Sequence, residues 1–166
     1  MCVAAIPRIM GQLKQETGEV ESLDMQRFLD LLKKFNTAML VSHTPEGEAR
    51  ARPMAIAGVE EDGGLWFVSR RADPKIAEIA ADERVLVVMQ GATAYLSVTG
   101  HAEVIQDRER VQSLWSPSWK IWFKDKHDPN LMLIHVRPVE AEFWDQGGLE
   151  GVKYLLRAAA AFVSGR

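Results

Sequence analysis

The feature of the sequence that most constrains its fold is a run of three strand-like segments between Thr37 and Ser69. These segments are TAMLVSHT, ARARPMAIAGV and LWFVS, and they are separated only by PEGE and EEDGG, which carry turn-forming residues. Links this short join antiparallel neighbours, since a parallel connection needs a crossover of a dozen or more residues. The run therefore predicts consecutive antiparallel hairpins.

Further strand-like segments follow along the chain: RVLVVM, ATAYLSVTGHAEVI, LMLIHVRP and VEAEFWDQ. Gly100 predicts a bend in the second of them, and Pro138 predicts a break between the last two. Strands do not alternate regularly with helices, and no G-x-G-x-x-G follows a strand, which disfavours a doubly wound nucleotide-binding sheet. Six or seven strands joined mainly by hairpins predict an α+β fold built on an antiparallel barrel.

Helical periodicity and capping residues predict helices around these strands. LDMQRFLDLLKKF follows Ser22 as its N-cap, and PKIAEIAAD follows Asp73 as N-cap, with Pro74 at the first helical position. DRERVQSLW and SPSWKIWF predict two short helices, and LEGVKYLLRAAAAFVS predicts a helix that closes the chain.

The chain of 166 residues is long enough to bury one core without metal or disulfide. We expect an N-terminal extension over 1–21, a barrel domain over 22–148, and a C-terminal helix over 149–166 packed on the same domain. The net charge of −3 comes from mixed acidic and basic residues, which gives no field to gather nucleic acid or an anionic membrane. No window approaches the roughly 18 apolar residues of a membrane span. With one cysteine, Cys2, a cytoplasmic location is the expectation.

The second strand carries two arginines beside an apolar run. With a two-residue period, one face holds Arg50, Arg52, Met54 and Ile56, and the other holds the small residues Ala49, Ala51, Pro53, Ala55 and Ala57. An arginine pair is often simply a solvated strand end. A guanidinium also offers fixed, bidentate donors that suit phosphate oxygens.

Lys75 favours the phosphate interpretation. It lies in the first turn of a predicted helix, where free backbone N–H groups and the positive dipole end favour an anion. A lysine is electrostatically misplaced there, and a bound phosphate would resolve the misfit. Ser69, at the end of LWFVS, adds a hydroxyl donor. These residues predict a phosphate site.

Other chemistry-bearing residues give weaker signals. Four tryptophans, Trp115, Trp119, Trp122 and Trp144, fit core packing or a dimer interface, and they equally fit a pocket that flanks a flat heterocycle. The histidines are far apart and have no ligand spacing, so we expect no metal site. No nucleophile motif is present, paired carboxylates stay open, and no catalytic residue is singled out.

The order and spacing of these segments resemble the pyridoxamine 5′-phosphate oxidase-like, FMN-binding split-barrel family, and within it the general stress protein branch. The resemblance runs from about Phe28 to about Gly148. It is carried by TAMLVSHTPEGEARARPMAI, LWFVSRRADPKIAEIAADERVLVVM, YLSVTGHAEVI, LWSPSWKIWF and VEAEFWDQGG. It implies a six-stranded antiparallel split β-barrel with flanking helices, and a homodimer that binds FMN at the subunit interface.

The resemblance also implies which residues hold the cofactor. They are Arg52, Pro53, Met54, Ala55, Val68, Ser69, Lys75, Tyr95, Trp122 and Trp144. Arg52, Ser69 and Lys75 would hold the phosphate, and the RPMA backbone would line the isoalloxazine. Trp144 and Trp122 would close the pocket from the partner subunit. Tyr95 falls where the oxidases have a glutamine.

Three departures separate the chain from true pyridoxamine phosphate oxidases. Pro74 replaces the arginine before the phosphate lysine, Ala57 replaces a substrate-contacting lysine, and LEGVKYLL replaces an Arg-x-His-x-Arg element. The cofactor half of the site is kept in part, while the vitamin-binding half is lost. We therefore expect a stress-related FMN oxidoreductase of unknown substrate. A flavin-sequestering or sensing module without turnover, and a split barrel that binds haem or a deazaflavin, stay open.

Overall fold

A computed structural model describes residues 25–145 and the backbone of 152–157. The predicted extension over 1–21, the N-cap Ser22, and the segments 146–151 and 158–166 lie outside the described residues. The first helix, α1, is described over 25–32, in agreement with the helical periodicity of that segment.

Seven strands lie within the described residues, and all of their pairings are antiparallel. They are β1 Thr37–His43, β2 Ala49–Val59, β3 Leu65–Arg70, β4 Arg84–Gln90, β5 Ala94–Ile105, β6 Leu131–Asp145 and β7 Val152–Arg157. The strand order is β3-β2-β1-β4-β5-β6-β7, and β3 also pairs with β6. This extra pairing closes the first six strands into a barrel, which confirms the α+β antiparallel barrel.

The helices that follow α1 lie in the two longest connections between strands. Helix α2, Pro74–Ala81, links β3 to β4 and begins at Pro74 as predicted. Helix α3, Arg108–Leu114, and a 3₁₀ helix, Pro117–Ile121, link β5 to β6. Within the described residues, no helix has the length and apolarity that a bilayer crossing requires.

Two apolar clusters stabilise these elements. The barrel interior is filled by side chains from the inward faces of the strands and from α1, among them Phe28, Leu32, Leu40, Phe67, Val87, Leu96, Ile134 and Phe143. A smaller outer cluster joins β3 to α3 and the 3₁₀ helix, and contains Trp66, Val68, Val111, Trp119, Phe123, Leu131 and Leu133. The outer cluster fixes the 3₁₀ helix beside β3, which positions one wall of the site described below.

The predicted break at Pro138 is wrong, because β6 continues through it as a single strand of 15 residues. Pro138 lies opposite Gly100, where the register between β5 and β6 shifts, so the irregularity accommodates a residue that has no N–H to donate. The bend predicted at Gly100 stays a prediction, although the register shift lies at this residue. A Cβ at this position would overlap the carbonyl oxygen of Arg137, which explains why glycine stands there.

The C-terminal helix is also wrong over the part that the structure describes. Val152–Arg157 forms β7, which pairs with Glu140–Asp145 of β6. On that edge, β3 covers β6 only from Leu131 to Val136, so the remaining backbone groups of β6 need another partner. Pairing with β6 overrides the weak helical propensity of this segment.

Candidate cofactor site

A cleft of about 190 Å³ lies where β2 and the end of β3 meet the start of α2 and the residues after the 3₁₀ helix. It is lined by Pro53, Met54, Ala55, Val68, Ser69, Arg70, Asp73, Lys75, Trp122 and Phe123. One wall is apolar and comes from β2, β3 and the two aromatic residues. The opposite end carries a hydroxyl, two cations and one carboxylate.

Seven of the ten residues expected to bind a cofactor line this cleft: Pro53, Met54, Ala55, Val68, Ser69, Lys75 and Trp122. The other three, Arg52, Tyr95 and Trp144, are not among its lining residues. Trp122 lines the cleft of its own chain, and its expected contact with the cleft of a partner stays a prediction. Trp122 is 46% exposed beside the buried Phe123, which anchors the segment in the outer cluster.

Both predicted phosphate donors of the cleft converge on the carboxylate of Asp73. The Lys75 Nζ lies 2.9 Å from Asp73 Oδ2, and the Ser69 hydroxyl donates to the same oxygen at 2.9 Å. The backbone N–H of Arg70 donates to it as well, at 3.2 Å. The misplaced charge of Lys75 in the first turn of α2 is therefore neutralised within the chain, by the residue two positions before it.

Asp73 was assigned only as a helix N-cap in the sequence. It occupies that position with extended backbone, but its side chain makes no capping hydrogen bond. Burial raises the pKa of Asp73, whereas the hydrogen bonds from Lys75, Ser69 and the Arg70 N–H lower it. The hydrogen bonds together outweigh burial, so the pKa of Asp73 lies below its usual value. The carboxylate is therefore ionised at neutral pH. The spacing Asp-x-Lys was the signal available in the sequence.

Arg52 lies next to the cleft and forms an ion pair with Glu78 of α2. Its two terminal nitrogens donate to Glu78 Oε2 and Oε1 at 2.7 and 2.8 Å, and the first also donates to Ser42 Oγ at 2.9 Å. The wholly buried Ser42 donates in turn to Glu78 Oε2 at 2.6 Å. Three of the five guanidinium donors are thus engaged within the chain. A contact between Arg52 and a cofactor stays a prediction.

The Arg52–Glu78 pair holds β1, β2 and α2 together. The bond from Arg52 lowers the pKa of the Glu78 carboxyl, with burial opposing and Ser42 assisting, and the same bond raises the pKa of Arg52. Glu78 was missed in the sequence. Its signal was a position three residues after Lys75, on the same face of the helix, where both side chains are buried.

The neighbouring Arg50 behaves as a solvated residue. Its side chain is 57% exposed and pairs with Glu48 on the surface at 3.0 Å. The two arginines of β2 therefore differ in their surroundings, since Arg52 pairs with a buried carboxylate and Arg50 with an exposed one.

Tyr95 and Trp144 face each other as cross-strand partners on β5 and β6. They lie on the outer face of the sheet, because the adjacent residues Ala94, Leu96 and Phe143 are buried in the core. β6 is a neighbour of β3 in the cleft wall, but the two strands pair only from Leu131 to Val136 of β6. Trp144 lies eight residues beyond Val136, roughly 26 Å along the strand at about 3.3 Å per residue. Within one chain, this pair and the cleft are separate.

Two further pairs of rings, Trp115 with Trp119 and Trp66 with His135, have structural roles. Trp119 is buried in the outer cluster and meets Trp115 edge to face. His135 stacks on Trp66 at 4.2 Å, and both rings bond to Glu60, from His135 Nε2 at 2.9 Å and from Trp66 Nε1 at 3.0 Å. In the described residues, no group of three or more His, Cys, Asp or Glu is arranged to hold a metal ion.

Known proteins match most of the chain. Residues 24–166 match the family described as Pyridoxamine 5′-phosphate oxidase like. General stress protein 26 of Bacillus subtilis is 32% identical over 128 residues, which cover 74% of this chain and 89% of that protein. Protein bli-3 of Neurospora crassa is 27% identical over 117 residues, which cover 63% of this chain and only 56% of that protein.

A solved structure agrees with the fold. The general stress FMN/FAD binding protein of Xanthomonas citri superposes with a TM-score of 0.65 at 27% identity, and the match covers 81% of this chain and 98% of that one. The family match spans the barrel, the cleft and the donor residues at its end. The chain therefore belongs to the pyridoxamine 5′-phosphate oxidase-like family.

Proposed function

We propose that the cleft binds the flavin of an FMN-dependent oxidoreductase. The observation that carries this proposal is the juxtaposition of an apolar wall with Lys75 and Ser69 at one end. A flavin mononucleotide is a flat apolar ring joined by a sugar chain to a phosphate, so its two ends need these two environments. The similar protein of Xanthomonas citri is named as an FMN/FAD binding protein, which also supports a flavin.

The residues of the cleft would divide the binding between them. Lys75 and the Ser69 hydroxyl would hold the phosphate by charge-assisted hydrogen bonds. Pro53 and Ala55 lie on the face of β2 that carries small residues, so a flavin ring could approach the backbone closely there. Trp122 would cover part of that ring. A bound flavin supplies the hydride- or electron-accepting chemistry, while the protein binds and orients it and excludes water.

The ionisable residues of the cleft favour a second candidate as well. Within the described lining, these are Arg70, Asp73 and Lys75, and all three belong to the end that would face the phosphate. No described side chain of the apolar wall could move a proton. A flavin-sequestering or sensing module without turnover fits this distribution.

One experiment tests flavin binding and separates the two candidates. Purified protein mixed with FMN should retain the visible absorption of an oxidised flavin after gel filtration. Bleaching of the bound flavin by NADH or NADPH under anaerobic conditions supports the oxidoreductase. A bound flavin that is reduced by neither nucleotide supports the module without turnover. Protein that stays colourless after incubation with FMN contradicts both.

We also propose that the site is completed in a homodimer. The outer face of the sheet carries an apolar row, in which Pro53 of β2, Met39 of β1 and Val88 of β4 are cross-strand neighbours. Met39 and Val88 are 39% and 36% exposed, and the row begins at the cleft itself. A continuous apolar surface of this kind is typical of an interaction site.

A dimer would bring the expected cofactor residues on β5 and β6 of one copy close to the cleft of the other. Pro53 in the cleft wall and Trp144 on β6 share one outer face, at opposite ends of it. When two copies pack through such a face about a two-fold axis, one end of each copy lies against the other end of its partner. Tyr95 and Trp144 of a partner would then approach the cleft, whose 190 Å³ is below the roughly 300 Å³ of ordinary ligand pockets.

Val88→Asp should therefore convert a dimer into a monomer and weaken FMN binding, because a charge in the centre of an apolar interface is desolvated without a partner. Light scattering at micromolar concentration gives the mass, and flavin fluorescence gives the affinity. Val139→Asp is the matched control, since Val139 is 46% exposed but lies at the irregularity between β5 and β6. A wild-type monomer that binds FMN tightly would contradict the dimer.

A further inference from the structure

The three donors at the polar end of the cleft already surround an anion. The Lys75 ammonium, the Ser69 hydroxyl and the Arg70 N–H all lie within 3.2 Å of one oxygen, Asp73 Oδ2. An ammonium, a hydroxyl and a backbone N–H around one anionic oxygen are the kind of donor set that also binds a phosphate oxygen. The carboxylate of Asp73 thus takes the position that the donor set offers to a ligand.

Asp73 has an alternative partner that it does not use. At the N-cap of α2, an aspartate normally accepts from the N–H groups of the first helical turn, yet Asp73 makes no such bond. Its carboxylate lies instead at the lining of the cleft, and the side chain is one-third exposed, at 33%. A rotation that returned it to the N-cap would free Lys75 and Ser69 without leaving the carboxylate unsatisfied.

We propose that Asp73 is a specificity-determining residue that competes with the ligand's phosphate for Lys75 and Ser69. This inference rests on the proposed flavin site. A phosphate dianion can reach these donors only by displacing the carboxylate or by lying beside it as a like charge. The phosphate therefore contributes less to flavin binding than its donors would allow. The affinities for FMN and for riboflavin, which lacks the phosphate, are closer to each other than they would be in a site without the Asp73 carboxylate.

The test compares Asp73→Asn with the wild-type protein by titration with FMN and with riboflavin. Asparagine keeps the shape and N-cap ability of aspartate but removes the competing charge. We expect FMN to bind about tenfold more tightly to the variant, and riboflavin to change by less than about twofold, because only the phosphate meets that charge. Asp82→Asn is the control, since Asp82 lies at the other end of α2 and pairs with Arg84.

Three results would overturn the inference: weaker FMN binding by Asp73→Asn, equal changes for both flavins, or the same gain in Asp82→Asn. Asp73→Ser, which also caps helices, replaces Asp73→Asn if circular dichroism shows the latter unfolded. If the wild type binds neither flavin, the proposed function fails, and inorganic phosphate becomes the probe. A larger phosphate-induced rise in melting temperature for Asp73→Asn than for Asp82→Asn then upholds the competition, and an equal rise rejects it.

Discussion

Replacement of Arg52 by alanine is expected to lower the free energy of unfolding by about 3 kcal/mol, because the Glu78 carboxylate loses its partner in a buried site. The side chain of Glu78 is only 10% exposed, and Arg52 provides two of its hydrogen bonds. Urea unfolding of the variant and the wild type measures the difference. The matched control is Arg50→Ala on the same strand, which should change stability by less than about 0.5 kcal/mol.

A second variant distinguishes loss of the ion pair from loss of packing. Arg52→Met with Glu78→Gln keeps an apolar stem at position 52 and the side-chain length at position 78, and it removes both charges, while a glutamine oxygen can still accept from Ser42. This double variant should regain a large part of the stability lost in Arg52→Ala. Equal destabilisation of Arg52→Ala and Arg50→Ala would show that the pair contributes little.

The same pair predicts how stability depends on pH. The pKa of Glu78 is lowered in the folded chain, chiefly by the bond from Arg52, so its contribution is present above the pKa of the unfolded chain, roughly 4.3. That contribution is lost as the pH falls through the lower, folded pKa. The acid side of the stability curve should therefore be less steep in Arg52→Ala than in the wild type.

Lys75→Ala is expected to weaken FMN binding by roughly 1.5–3 kcal/mol, the value of a charge-assisted hydrogen bond. The change removes the cation that would meet the phosphate and leaves Asp73 as an unneutralised like charge beside it, so both effects act in the same direction. Isothermal titration or fluorescence quenching with FMN measures the loss. Riboflavin should lose much less, because it carries no phosphate.

Two further variants make this result specific. Lys75→Met keeps the buried stem of the side chain and removes only the charge, so it separates binding from folding. Lys120→Ala removes an exposed lysine from the nearby 3₁₀ helix, outside the cleft lining, and should leave FMN affinity unchanged. An unchanged affinity in Lys75→Ala would remove Lys75 from the site.

Local patterns were sufficient to predict much of the barrel and much of the cleft. The alternation and turn residues around ARARPMAIAGV predict a strand over 49–59, and β2 has these bounds. Ser69 and Lys75 follow from the end of one element and the start of the next. They lie on either side of the short connection between β3 and α2, so their proximity depends little on the rest of the fold.

The residues that the sequence did not reveal depend on choices between partners. An aspartate at position 73 can cap its helix or neutralise Lys75, and the local sequence is compatible with both. The partner of Arg52 is 26 positions away on α2, so a phosphate and Glu78 were equally compatible with the strand pattern. The strand conformation of β7 depends on the part of β6 that runs past the end of β3, which the local sequence of 152–157 does not encode.

The length of β6 has a consequence for the integrity of the sheet. From Glu140 to Asp145, β7 is the strand that covers the edge of β6 opposite β5. Without it, a row of backbone donors and acceptors would lie open and could template the addition of a strand from another molecule. β7 therefore satisfies these backbone groups of β6, and among the described strands the open edge passes to β7 itself, which pairs there only with β6.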